Sequence, residues 1–155
     1  MTESEDNQVK ILFKFYNDLL EQDMVETMWA DIVDVSMGHY KIDSLPFYTT
    51  LIATDDIVYA EYDDTEEMLL YKETVEPSGN STLWVVIIND ATDIDDVMET
   101  FYELDCISEA ISDRYFAMEV KAETNYLHIS DKLNELKSQK LIDYFEPCLS
   151  VQHQY

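Results

Sequence analysis

The stretch Ser81–Ile88, STLWVVII, decides the fold. From Leu83 to Ile88 every residue is apolar, so no face is left for water. A stretch apolar on both faces fits a central strand covered on both sides. The turn before it, PSGN at 77–80, puts Gly79 where a positive φ is needed, and Asn80 tolerates the same region. After it, NDATD leads into a helix. Ile94, Val97, Met98, Phe101 and Leu104 recur at helical spacing and form one apolar stripe. Thr92 or Asp93 caps this helix, and Asp95 and Asp96 lie in its electropositive first turn. CISEAIS (106–112) is a strand, Asp113-Arg114 a tight turn, and YFAMEVKA (115–122) a strand with Phe116, Met118 and Val120 on one face. A second helix over 126–139 turns Ile129, Leu133 and Leu136 inward, and LIDYFEP (141–147) is the last strand. This β-α-β-β-α-β order is the ferredoxin-like pattern, in which the first and third strands are central and the second and fourth are edges. Cys106 and Cys148 then belong to opposite edges, too far apart to bridge.

Upstream of the turn the period changes to two. Val9, Ile11, Phe13 and Phe15 alternate with Lys10, Leu12, Lys14 and Tyr16, and Met28, Ala30 and Ile32 alternate with Thr27, Trp29 and Asp31. SMGH (36–39) is a turn with Gly38 at the position that needs φ > 0, followed by a short strand HYKI (39–42). IVYAEY (57–62) and MLLYKETVE (68–76) form a hairpin around DDTEE. Five short strands predict a small antiparallel sheet or partly closed barrel. The expected class is α+β: a small β domain over 8–77, a ferredoxin-like domain over 80–149, and flexible tails at 1–7 and 150–155.

Three phrases, SLPF (44–47), TDDIVYAE (54–61) and EPSGNSTLWVVI (76–87), resemble a bacterial family catalogued as DUF4265. They are similar to its "IPF" segment, its "GDxV" strand and its "SGxST" turn before an apolar strand, in that order. Thr54 stands where a glycine is usual. The resemblance implies a common fold from about residue 9 to 146, and it implies no reaction, cofactor or catalytic set.

Composition bounds the function. The formal charge is −25, from 34 acids against 9 bases. Such a surface repels nucleic-acid phosphates and anionic lipid and speeds encounter with a basic partner. Solubility or adaptation to a salty cytoplasm is the plainer explanation of the charge. With 11 Tyr, 6 Phe and 2 Trp there is material for a core, so the acidity does not mean disorder. MTESEDNQ has no basic n-region and no apolar h-region, and no apolar run can span a bilayer, so a cytoplasmic location is expected.

No catalytic set emerges. His39, His128 and His153 are scattered, and Cys106 and Cys148 have the acids Asp105 and Glu146 nearby, which disfavour a thiolate. The run DATDIDD (90–96) lacks the glycine and the offsets of a calcium loop, and SGNS (78–81) lacks the lysine and helix of a phosphate loop. No metal, no cofactor and no enzymatic activity are expected. The ferredoxin-like half holds 5 bases against 15 acids, which opposes nucleic-acid binding through its sheet.

What remains is the placing of the charge. Between residues 42 and 113 there are 19 acids and a single base, Lys72. One dense patch is the hairpin, DDIVYAEYDDTEE (55–67); the other runs from Asp90 to Asp105. The candidate partner-binding residues are Asp55, Asp56, Tyr62, Asp63, Asp64, Glu66 and Glu67 in the first, and Asp93, Asp95, Asp96 and Glu99 in the second. Either Tyr59 or Tyr62 faces out to anchor a contact, since a strand alternates. The reading is an intracellular acidic protein that binds a basic protein partner, most concretely a bacterial immunity protein that plugs the cationic cleft of a nuclease-type toxin. The alternative is a small-ligand or regulatory domain without catalysis. The oligomeric state is left open.

Overall fold

The computed structural model describes residues 7–17 and 20–154, so the expectation for residues 1–6 lies outside the described residues. The chain forms two compact units, Met1–Ser78 and Gly79–Tyr155. It is mostly β, with one five-stranded and one four-stranded sheet and two α-helices among the described residues.

In the first unit β1 (Gln8–Asn17), β2 (Gln22–Asp34), β3 (His39–Ile42), β4 (Ile57–Asp63) and β5 (Met68–Glu76) follow one another as antiparallel neighbours. The barrel is closed, not partly open as expected. β1 and β5 meet in a short parallel pair, Ile11 opposite Leu69 and Leu12 opposite Leu70. Alternation within a strand carries no information about such a seam. Leu12, assigned to the outer face by alternation, is only 4% exposed and lies opposite Leu70 across the seam. Ile11, Phe13, Met28, Ala30, Tyr40, Ile42, Ile52, Val58 and Ala60 fill the interior. Ile32, expected inside, is 37% exposed although it pairs opposite the buried Tyr40; the β2–β3 register shifts just beyond it, between Ile32 and Asp34. Gly38 has φ +73°, and a Cβ there would lie 2.8 Å from Cε1 of Tyr59. Its carbonyl accepts from Ala60 N–H at 3.0 Å, so glycine is required both by conformation and by space.

In the second unit the elements run β6 (Ser81–Ile87), α1 (Ile94–Tyr102), β7 (Ile107–Ala110), β8 (Tyr115–Val120), α2 (Tyr126–Ser138) and β9 (Ile142–Cys148). The sheet order is β7-β8-β6-β9, all antiparallel, with β6 and β8 inside and β7 and β9 at the edges. Leu83, Val85 and Ile87 of β6 and Phe116, Met118 and Val120 of β8 pack with Ile94, Val97 and Phe101 of α1 and Ile129 and Leu133 of α2. The apolar stripe of α1 was expected to reach Leu104, but the helix stops at Tyr102. Asp105 turns to φ +68°, and Cys106 N–H reaches back to Phe101 O at 3.0 Å, a six-to-one closing bond. Leu104 still packs against the core from the turn.

Residues 150–154, expected to belong to a flexible tail over 150–155, are folded, and Tyr155 lies outside the described residues. Val151–His153 make a 3-10 turn, and His153 is 2% exposed. Its Nε2 lies 3.0 Å from the carbonyl of Lys121, which can only accept, so Nε2 carries the proton. Nδ1 therefore accepts from the Ser81 hydroxyl at 2.6 Å, while Ser81 Oγ accepts from Ser150 N–H at 2.8 Å. No helix among the described residues is long and apolar enough to cross a membrane.

Candidate functional site

Each acidic patch sits on an ordered element, and the chain uses several of the carboxylates to build that element. In the β4–β5 hairpin Asp63 pairs with Met68 across the strands. Its Oδ1 accepts from the N–H groups of Glu66 at 3.0 Å and Thr65 at 2.9 Å, which hold the carboxyl below its ordinary pKa. Glu66 forms an ion pair with Lys14 at 2.6 Å. Asp64 and Glu67 point to solvent at the tip, Glu67 with φ +56°. Tyr62 is 61% exposed beside them, whereas Tyr59 is half-buried and donates to Glu61. Of the two tyrosines, Tyr62 is the one offered outward.

Asp55 and Asp56 behave differently. Asp55 is half-buried at φ +69°, and its N–H donates to Ile42 O at 2.8 Å. Asp56 is 3% exposed, so it is no contact residue. Its two carboxylate oxygens accept from Ser78 N–H at 2.8 Å and Ala53 N–H at 3.0 Å, tying the start of β4 to the preceding loop and to the segment that follows β5. Burial raises its pKa against the pull of these two bonds. A period-two reading places it at a strand mouth and has no means of seeing these donors.

On α1, Asp93 is the N-cap and accepts from Asp95 N–H at 2.9 Å. Asp95, Asp96 and Glu99 are exposed opposite the buried stripe of Ile94, Val97 and Phe101. Asp90 is paired with Arg114, whose guanidinium also donates to Ile87 O at 3.1 Å. Tyr102 was not singled out by the sequence reading. It is 71% exposed and stands one turn after Glu99, on the acidic side of the helix. The signal was present, because Tyr102 falls off the apolar stripe. Glu26 was also missed: its carboxylate accepts from the N–H groups of Phe47 (2.7 Å), Tyr48 (3.2 Å) and Thr49 (2.8 Å) and from the Thr49 hydroxyl (2.6 Å). It pins the SLPF segment to β2, and no sequence pattern announces it.

Several of the other reactive groups are buried, while His128 is exposed and Cys148 partly so. Cys106 is 1% exposed, and burial, helped by Asp105 and Glu119, pushes its pKa up to about 12, which removes it as a nucleophile. Cys106 and Cys148 are both free thiols. The Tyr126 hydroxyl is raised by burial and by its 2.5 Å bond to Glu146. No group of three His, Cys, Asp or Glu side chains is arranged to hold a metal among the described residues. A hollow of about 490 Å³ lies between the end of α1 and the start of α2, lined by Glu103, Asp105, Lys121, Glu123 and His128 among others. A smaller one of about 220 Å³ lies between α1 and β7.

Residues 26–144 match the family described as "Domain of unknown function (DUF4265)". A solved structure, described as a hypothetical protein from Neisseria gonorrhoeae, superposes with a TM-score of 0.80 at 22% identity, covering 92% of this chain and 96% of that one. At that identity the likeness shows the fold. No curated protein matches the chain.

Proposed function

The chain belongs to the DUF4265 family, and from that premise we propose that it is an acidic, non-catalytic inhibitor that binds a basic protein partner. Its most concrete form is an intracellular bacterial immunity protein that covers the cationic cleft of a cognate nuclease-type toxin. One observation carries this reading: in each unit an exposed tyrosine stands among carboxylates on an ordered element. Tyr62 sits with Asp64 and Glu67 on the hairpin, and Tyr102 with Glu99 on α1. A rigid aromatic surface supplies contact area at low entropic cost, and fixed carboxylates match lysine and arginine. The net charge of −25 supports fast capture of a cationic partner. We also take residues 80–149 as a ferredoxin-like half, on the support of their element order and the inner position of β6 and β8.

The test is purification of tagged protein at low salt from cells that express its genomic neighbours. A single basic protein recovered in near-equal amount is expected, with association that slows as salt rises. Reversing Asp64 and Glu67 to lysine is expected to leave the melting temperature within a few degrees and to lower the on-rate at least tenfold. Equal on-rates for the variant and the wild type would remove the hairpin from the interface. A second reading, a small-ligand domain, is favoured by the polar hollow between α1 and α2. A thermal shift with cationic metabolites and none with basic proteins would select it.

A further inference from the structure

We propose that the open edge of β7 is a docking strand, where an extended basic segment of the protein partner adds to the sheet and lays alternate side chains into the hollow between α1 and β7. The inference rests on the protein-binding reading and names where and how the partner is held.

Three observations support it. First, among the described residues β7 is hydrogen-bonded on one side only, to β8. The bond from Ile111 N–H to Tyr115 O, at 3.0 Å, fixes the phase of the ladder. With Ile107 opposite Glu119 and Glu109 opposite Ala117, these two residues bond inward to β8. Ser108 and Ala110 therefore direct their N–H and C=O groups away from the sheet, where only water or another strand satisfies them.

Second, the edge is flanked by a hollow of about 220 Å³ walled by Met98, Glu99, Tyr102, Cys106 and Ser108. Ser108 lies opposite Met118, a core residue on the helix side, so the hollow is on the side where every second residue of an added strand would point. The Ser108 hydroxyl is buried with no hydrogen-bond partner among the described residues. A buried polar group left this way is costly, and a bound backbone or side-chain group relieves it.

Third, the charge selects the occupant. Glu99, Glu103, Asp105, Glu109 and Asp113 are exposed on α1, on β7 and in the turns that flank them. Arg114, the one base between residues 73 and 120, is engaged with Asp90. An acidic or neutral strand meets repulsion or indifference here, whereas a strand alternating apolar and basic residues pairs with the edge, fills the hollow with its apolar side chains and turns its basic ones to the opposite face, where Glu109 stands opposite Ala117.

The probe is a synthetic ten-residue peptide alternating Val with Lys or Arg, and the control carries Glu in place of the bases. Amide exchange of the full chain is followed by NMR. The basic peptide is expected to slow exchange at Ser108 and Ala110 at least tenfold, and the acidic control to leave both unchanged. Ala110→Pro removes one outward N–H and is expected to weaken binding at least tenfold. If that variant fails to fold, a basic peptide N-methylated on the amides facing β7 gives the same comparison on the wild-type chain. Binding that perturbs residues 63–67 or α1 while exchange at Ser108 and Ala110 stays unchanged overturns this inference and leaves the protein-binding reading standing. Absence of binding at any site overturns the inference and counts against that reading as well.

Discussion

Leu51 is 76% exposed and sits at φ +64°, a conformation that costs a leucine roughly 1–2 kcal/mol. It is one consequence of a chain with only two glycines. Gly38 and Gly79 occupy left-handed positions where space is also tight, and Glu21, Asp55, Glu67, Asp105 and Lys140 take up others. Leu51→Gly removes the strain without opening the core. Allowing for the entropy of the new glycine, it is expected to raise stability by roughly 0.5–1 kcal/mol in urea unfolding. Asp56 gives the opposite case. Asp56→Asn turns an amide NH2 toward one of the two N–H donors, with an expected loss of about 1–3 kcal/mol. The pH dependence identifies the group. Its folded pKa is raised by burial, so between the unfolded value and the folded value the native state holds the extra proton. The wild type is therefore expected to lose stability relative to Asp56→Asn as pH rises through that window, and then to run parallel to it. A gap that narrows as pH falls instead of widening would contradict this.

At the scale of elements, most of the architecture was legible. β3 and β5 have the expected bounds, and the helix over Ile94–Tyr102 and the central place of Ser81–Ile87 follow from period and apolarity alone. These are local signals, set by which face a segment buries. What escaped was non-local. The β1–β5 seam joins strands whose own alternation is unchanged by it, and the folded C-terminus depends on a contact between His153 and Ser81, far apart in sequence. The candidate site divides in the same way. Exposure of Asp95, Asp96 and Glu99 follows from the helical wheel, while the burial of Asp56 depends on donors from Ala53 and Ser78. His153→Ala is expected to cost about 1–3 kcal/mol, because it leaves the Ser81 hydroxyl buried without its acceptor. Exchange rates in β6 should rise in that variant, and those in β1 to β5 should not.

For the whole molecule, charge sets the terms. A formal −25 on 155 residues repels itself, and the five ion pairs found among the described residues offset little of it. Raising sodium chloride from about 10 mM to about 150 mM shortens the screening length from about 30 Å to about 8 Å. The melting temperature is expected to rise by several degrees over that range. An uncharged osmolyte at equal osmolality should give a smaller gain. The same salt that steadies the fold slows capture of a basic partner, so stability and association are expected to move in opposite directions.

The parallel seam between β1 and β5 has a further consequence for biosynthesis. Strand one cannot find its last neighbour until Leu69 and Leu70 have been made and have cleared the ribosome. Until then the nascent barrel is an open ribbon with apolar residues such as Ile11 and Phe13 uncovered. Pairings this distant in sequence close slowly, so the interval of greatest risk for misassembly runs on into translation of the second half. Synonymous changes that slow decoding once Leu69 and Leu70 have emerged from the ribosome would give the barrel time to close before more chain follows and raise the soluble yield, without altering a single side chain.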